Sequence, residues 1–363
     1  MRSSFKQVST LFHNVPWGPM RICPRCRSAV YMAIELGMRG HHAETSGPTQ
    51  PVSTVNVADS RALFDNFVTQ PHAAFHESIL PPKGTYTVQD HPVAVEGGEI
   101  SVRSLVPVVE DANETFPVLV FIHGGGMCLG GIELDDYALR GWCVRHKISI
   151  VNVGYRLAPE NPFPTAINDC HITLQWVVSN ASILKADLSK GFIVGGHSAG
   201  AYVSAVLAHI ARDDPFFEGR RLTGQLLREP TVCRYQAYPE SLKAKFRSIE
   251  ENKDVPPVTK DQLDRLRAWY NAPPTDPRSS PLLYPSHEGL PRAYIQASQL
   301  DVLRDDGLVY AEVLKEAGVE VKMDLYPGVG HGWYYNDPTS AASARAREGV
   351  EEALEWLLGR RQS

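Results

Sequence analysis

The sequence predicts an α/β protein, a mostly parallel sheet covered by helices on both faces. Three observations carry that expectation. From about residue 85 onward short β-like runs alternate with helical text. One of these runs, Val118 to Ile122, is apolar throughout, as strands buried on both faces are. The alternation is entered through two extended runs that read as a hairpin. Strands taking turns with helices build parallel sheets.

In chain order, "YTVQDHPVAV" (86–95) and "EISVRSLVPV" (99–108) form the expected hairpin, turned by Gly97-Gly98. The strand 118–122 follows. "ISIVNVGY" (148–155) precedes a helix over 165–178, and "GFIVGG" (191–196) precedes one over 199–211. Further strands are expected at 222–227, 293–297 and 321–326, with helices over 305–317 and 340–358. Two stretches break the pattern: residues 1–84, helical patches with aromatics (Phe64, Phe67, Phe75) and proline breaks, and residues 230–275, charged helical text between two core strands. They are expected to form a helical cap over the C-terminal strand ends, where ligands bind in such sheets. The catalytic core is then 85–229 with 276–363.

Composition excludes several classes. A formal charge of −5 gives no reason to expect nucleic acid as partner, and no run reaches the roughly 18 apolar residues of a membrane span. Six cysteines (Cys23, Cys26, Cys128, Cys143, Cys170, Cys233) are too scattered for a disulfide framework and fit a reducing compartment. Cys23 and Cys26 have zinc or redox spacing, but no second Cys pair accompanies them, so no metal is expected. Arg2, Lys6, Arg21, Arg25 and Arg27 precede the first acid, Glu35. That balance resembles a mitochondrial transit segment, yet Pro16, Gly18, Pro19 and Pro24 interrupt any long amphipathic helix; a cytoplasmic location is expected, with mitochondria the lesser reading.

Gly196-His197-Ser198-Ala199-Gly200 reads G-x-S-x-G. Gly and Ser are common enough that chance yields this pattern in roughly one chain in ten of this length, so position must decide. Ser198 lies between the strand ending near 196 and the helix beginning at 199, the strand-turn-helix setting of a nucleophile. A serine needs a base, and three histidines follow it: His209 within the next helix, His287 in a Pro/Ser loop, and His331 between glycines after the strand 321–326. His331, on a loop at a strand's C-terminal end, is the candidate base. The candidate acid is Asp301, just after the strand 293–297; Asp305 and Asp306 are explained by the first turn of the next helix, whose dipole favours acids there. "HGGG" (123–126) after the strand 118–122 supplies backbone N–H groups for a developing oxyanion. The donors are assigned to Gly125, Gly126 and Ala199, with Gly124 as an alternative. No G-K-[ST] follows, which argues against a phosphate loop.

The ordered motifs "HGGG", "YRLAPENPFPTAINDC" (155–170), "GHSAG", "DPRSSPLL" (276–283), "DVLRDD" and "YPGVGHGW" resemble those of the hormone-sensitive-lipase-like carboxylesterases of the α/β-hydrolase fold. The resemblance implies a Ser198–His331–Asp301 triad, the oxyanion hole named above, a cap from 1–84 and 230–275, and no metal or organic cofactor. Departures mark where the pocket is expected to differ. His197 replaces the family's usual Asp and Ala201 its last Gly. Met127 stands where an aromatic is common, and Arg228 and Glu229 replace an apolar-aromatic pair. Met127 and His197 are the candidate substrate contacts, and Arg156, Glu160 and Asp169 are expected to be structural partners.

The expected function is hydrolysis of a carboxylic ester through an acyl-enzyme, on a small apolar substrate. Two alternatives stand beside it: acyl transfer, lactone opening or cyclisation on a specific natural-product scaffold, and a non-catalytic small-molecule receptor. The oligomeric state is not legible; a homodimer is compatible with the sequence.

Overall fold

The computed structural model describes residues 56–360. The Cys23–Cys26 pair and the basic N-terminal stretch lie outside them. An eight-stranded sheet forms the centre: β1 (Tyr86–Val95), β2 (Gly98–Pro107), β3 (Val118–Ile122), β4 (Ser149–Gly154), β5 (Phe192–His197), β6 (Gly224–Arg228), β7 (Arg292–Ser298) and β8 (Val321–Tyr326). Their spatial order is β1-β2-β4-β3-β5-β6-β7-β8. β1, β2 and β4 pair antiparallel, and from β4 to β8 every pair is parallel. The α/β class and the hairpin entry therefore hold. The hairpin turn sits one residue earlier than expected: Gly98 opens β2, and Gly97, at φ +76°, takes the left-handed position in the turn.

The principal helices are α1 (Val57–Phe64), α2 (Gln70–Glu77), α3 (Asp136–Arg145), α4 (Thr165–Ser179), α5 (Ala199–Asp213), α6 (Ser248–Glu251), α7 (Lys260–Tyr270), α8 (Arg304–Glu316), α9 (Trp333–Asn336) and α10 (Ala341–Leu357). Strand β3 shows why the sheet needs two covering layers. Val118, Val120 and Ile122 pack with Ile167 and Leu174 of α4 and Val203 and Val206 of α5, while Leu119 and Phe121 face Leu139 and Trp142 of α3 and Leu354 of α10. Alternate residues of one strand thus enter opposite cores, which is why its sequence is apolar without a break. The second face of α5 (Ala201, Ala205, Ala208) meets Val309 and Leu314 of α8.

Helix α3 has no counterpart in the sequence reading. Gly141 lies at its centre and no side chain caps its start; Leu139, Trp142 and Cys143 make it helical by packing on the sheet rather than by local preference. The segment 230–275 contains α6 and α7 joined by irregular chain. α7 has a full capping box, Thr259 with Gln262, and is defined locally. Among the described residues no helix is long and apolar enough to cross a membrane.

Candidate active site

The hydrogen-bond ladder of the sheet continues past the strand ends into the site. In register, His197 of β5 pairs with Arg228 of β6, and Arg228 with Gln296 of β7. One step further, Ser198 N–H donates to Arg228 O (2.8 Å) and Glu229 N–H to Gln296 O (2.7 Å). Ser198 and Glu229 both take positive φ, 54° and 50°, a region non-glycine residues seldom occupy outside functional turns. The small neighbours of Ser198 have a steric cause. A Cβ on Gly196 would stand 2.2 Å from Ile122 O, and one on Gly200 1.8 Å from the same atom. The turn is pressed against the end of β3, and helix α5 starts at once.

His331, on the loop after β8, places Nε2 2.8 Å from Ser198 Oγ and Nδ1 2.7 Å from Asp301 Oδ2. A carboxylate only accepts, so Nδ1 carries the proton to Asp301 and Nε2 is free to accept from the serine hydroxyl. Asp301 is itself held: its Oδ1 accepts from Leu303 N–H at 2.9 Å, and its main-chain carbonyl accepts from Asn252 Nδ2 at 2.9 Å. The structure thus brings Ser198, His331 and Asp301 together. His209 stacks on Tyr284, and His287 lies at its edge, in a cluster with Tyr310 rather than with the serine. Asp305 and Asp306 do more than complement a helix dipole. Asp305 accepts from the N–H groups of Arg247 and Ser248, and Asp306 from those of Val232 and Cys233; both tie the inserted segment to α8.

Among the described residues, the N–H groups of Gly125, Gly126 and Ala199 have no backbone acceptor. All three residues line one cavity with Ser198, His331 and Met127. Its volume is about 230 Å³, and α1, the turn Asp65–Thr69 after it, and α7 supply most of the opposite wall, including Phe64, Phe67, Leu266 and Trp269. Gly124 has a different reason to be glycine: a Cβ there would lie 2.7 Å from His197 Nδ1. Arg61 of α1 ties that helix down, donating to Cys128 O and Ala158 O (2.8 Å each) and pairing with Glu160 at 2.7 Å. Arg156 grips Asp169 through two nitrogens, 3.0 and 2.7 Å. Arg156, Glu160 and Asp169 are therefore the structural partners the sequence suggested.

Two readings change. Arg228 and Glu229 do not line the cavity; the register places them under it. Arg228 donates Nε–H to Gln296 Oε1 at 3.0 Å and lies over the Tyr334 ring. Glu229 is fully enclosed. Its Oε2 accepts from Gly332 N–H (2.7 Å) and His197 Nε2 (2.9 Å), its Oε1 accepts from the Ser298 hydroxyl, and Oε2 stands 3.9 Å from His331 Nδ1. His197 borders the cavity, but its ring hydrogen bond is to Glu229 and its faces pack on His331, Tyr334 and Tyr335. Its Nε2 serves the layer beneath the Ser198–His331–Asp301 chain, and its Nδ1 is buried without a partner among the described residues. The role of Glu229 was not read from sequence; a lone acid directly after a core strand, adjacent in the sheet to the serine turn, was the available signal.

Electrostatics follow from this layer. Burial depresses the basicity of His331, but Asp301 and Glu229 together outweigh it and raise its pKa to about 9. Burial pushes the Glu229 carboxyl up, against the pull of His331, with Asp301 adding to the rise. His197 goes the other way: burial, then His331 and Arg228, hold it well below the ordinary imidazole value, so it is neutral. His197, Glu229 and His331 also offer ligand atoms within 4.8 Å of one another. Both nitrogens of His331 are engaged by Asp301 and Ser198, so this cluster is spoken for by the triad geometry.

Comparisons with known proteins agree with the geometry. Residues 119–335 match the alpha/beta hydrolase fold family. Carboxylesterase NlhH of Mycobacterium tuberculosis is 38% identical over 254 residues, 68% of this chain and 75% of its own. Versiconal hemiacetal acetate esterase of Dothistroma septosporum is 30% identical over 266 residues, 72% of this chain and 80% of its own. Among solved structures, vibralactone cyclase superposes with a TM-score of 0.83 at 34% identity, covering 95% of this chain and 97% of that one.

Proposed function

The chain belongs to the α/β-hydrolase family, in its hormone-sensitive-lipase-like branch, and is a serine carboxylic ester hydrolase; from that premise we propose that Ser198, His331 and Asp301 are its catalytic triad. The observation that carries the assignment is the unbroken chain of short hydrogen bonds from Ser198 Oγ through His331 to Asp301, opening on a largely apolar cavity.

Ser198 Oγ attacks the ester carbonyl carbon as His331 Nε2 takes its proton. The tetrahedral oxyanion is held by the N–H groups of Gly125, Gly126 and Ala199, each donor contributing on the order of 3 kcal/mol. The C–O bond breaks, and His331 returns the proton to the departing alcohol. Water then attacks the acyl carbon, giving its proton to His331; the acid leaves and Ser198 recovers its hydrogen. Asp301 orients the imidazole and stabilises the imidazolium. Glu229 adds a second negative charge beside the ring as a positioning residue. The substrate lies between the strand ends and the cap of α1 and α7, against Met127. No group in this scheme calls for a metal, a cofactor or a second copy of the chain. The buried, unbonded thiols of Cys128, Cys143, Cys170 and Cys233 favour a reducing compartment such as the cytoplasm.

Ser198→Ala should abolish turnover of p-nitrophenyl acetate and butyrate and remove phosphonate labelling. Retained turnover in that variant refutes the assignment. A second reading is favoured by the likeness to vibralactone cyclase over nearly the whole chain: a nucleophile within the substrate, instead of water, releases the acyl group from Ser198. Phosphonate labelling of Ser198 combined with negligible hydrolysis of simple esters supports it; ready hydrolysis of a broad ester series rejects it.

A further inference from the structure

The cavity above Ser198 is apolar over most of its wall, yet its permanently charged residues are all of one sign. Among the described residues that line it are Arg234, Arg265 and Arg267, and no aspartate or glutamate. The chain as a whole has a net charge of −5, so the bias is local to this wall.

Arg234 is 8% exposed. Its main-chain N–H donates to Ser280 Oγ at 3.0 Å and its carbonyl accepts from Ala237 N–H, while among the described residues its guanidinium makes no hydrogen bond. Its guanidinium stands 5.8 Å from the centre of the Tyr270 ring, and the charged or ionisable groups that act on it are Arg267, Tyr202, Tyr270 and Cys128, with no carboxylate among them. Burial and then Arg267 hold its pKa below the ordinary guanidinium value. Arg267, on α7, is in a similar position. Its Nη1 is enclosed without a partner, and its Nη2 reaches Thr231 Oγ1 only at 3.4 Å. Asp306, whose carboxyl feels the Arg267 charge, already directs Oδ1 at Thr231 Oγ1 and at the N–H groups of Val232 and Cys233.

A buried charge without a counter-charge is strongly unfavourable, and a fold normally pairs it. Here two guanidiniums converge on a substrate cavity: among the described residues Arg234 has no carboxylate partner, and Arg267, partly exposed, has Asp306 within reach of its charge but no carboxylate hydrogen bond. Planar guanidinium forks fit carboxylates through paired hydrogen bonds. We propose that Arg234 and Arg267 form an anion subsite of this cavity, and that the ester turned over at Ser198 carries a free carboxylate on its otherwise apolar skeleton. The nature of the substrate rests on the esterase reading of Ser198; the subsite does not.

The test uses two arms on the full chain. In the kinetic arm, mono-p-nitrophenyl adipate and p-nitrophenyl heptanoate differ chiefly in the terminal carboxylate. Wild type should favour the charged ester in kcat/KM, and Arg234→Gln should lower the charged-to-neutral ratio by about 10- to 100-fold, mainly through KM, the usual effect of losing a charge-assisted hydrogen bond. Arg267→Gln, at a partly exposed position that tolerates substitution, should move the ratio the same way. A wild-type ratio at or below one, or a ratio unmoved in both variants, overturns the proposal. In the binding arm, adipate is titrated calorimetrically into Ser198→Ala, with sulfate and phosphate in parallel. Adipate binding that is lost on Arg234→Gln supports the subsite even if neither ester is cleaved, in which case only the esterase reading fails. Sulfate or phosphate binding as tightly as adipate overturns the carboxylate assignment, and binding of none of the three overturns the subsite.

Discussion

Replacing Glu229 by Gln removes one charge from beneath the catalytic imidazole while leaving an amide oxygen to accept from Gly332 N–H. The structure sets the size of the effect. A unit charge 3.9 Å from His331 Nδ1 acts with about 4 kcal/mol at an effective dielectric of 20, a ceiling of about three pKa units. Glu229 does not exert all of it: burial pushes its carboxyl up, and three hydrogen bonds spread its charge. About one third of the ceiling, a fall of about one unit in the His331 pKa, is the expected shift. The sign is fixed by the role of the ring. In the proposed mechanism His331 serves as base when neutral, and two carboxylates raise its pKa, so the acid limb of kcat/KM now lies at higher pH than an ordinary imidazole would give. Removing one carboxylate moves that limb to lower pH by about one unit, with a plateau about three- to tenfold lower because the imidazolium of the transition state loses support. The assay is kcat/KM against pH for p-nitrophenyl butyrate, a neutral ester, with circular dichroism to establish that the variant is folded. An acid limb that stays in place, or moves to higher pH, in a folded Glu229→Gln protein refutes the reasoning.

Asp301→Asn should be far more damaging, with kcat lower by roughly 10⁴ in a protein of near-normal melting temperature, because the amide cannot hold the proton on His331 Nδ1; a loss under tenfold would mean that Glu229 can stand in for it. Gly200→Ala should fail to give folded, phosphonate-reactive protein, since its Cβ would fall 1.8 Å from Ile122 O and 2.8 Å from His123 O, backbone atoms that cannot swing away; normal labelling of that variant would contradict the packing described for the elbow. Arg61→Met cuts the bonds of α1 to Cys128 O, Ala158 O and Glu160, and should raise KM several-fold and speed proteolysis within residues 56–84 while kcat changes little. Asp306→Ala leaves the N–H groups of Val232 and Cys233 without their acceptor and should cost about 1–3 kcal/mol, read as a lowered thermal midpoint; an unchanged midpoint would show that the tie between the insertion and α8 is redundant.

Most of the sheet is written locally. Val118–Ile122, set between Pro117 and His123, and Phe192–Val194, set between Gly191 and Gly195, are short apolar runs, and their strands differ from the expected ranges by at most a residue at either end. Ser198, Asp301 and His331 stand out for a related reason: each lies within a few residues of a strand's C-terminal end, and strand ends can be read from composition. What was not legible depends on the third dimension. Glu229 sits beside His331 because β5, β6 and β7 align His197, Arg228 and Gln296 in one row, and no spacing along the chain encodes that register. The same holds for Arg234 and Arg267, which belong to charged text whose inward-facing members only the packing of the inserted segment reveals. Helix α3 was missed because Gly141 weakens its local signal and its stability comes from Trp142 and Leu139 on the sheet.

The ladder that runs on past the strand ends has a consequence for how the protein divides its labour. Ser198 and Glu229 are tied by main-chain hydrogen bonds to Arg228 and Gln296, so the reacting atoms share the stiffness of the central sheet and start each turnover with the donors already aimed. Little rearrangement is left for the chemical step itself. The cavity's outer wall is attached by side chains such as Arg61, contacts that can open one at a time without disturbing the sheet. Breathing of the roof and constancy of the floor can therefore change independently, and selection for a new substrate can rework the first without detuning the second.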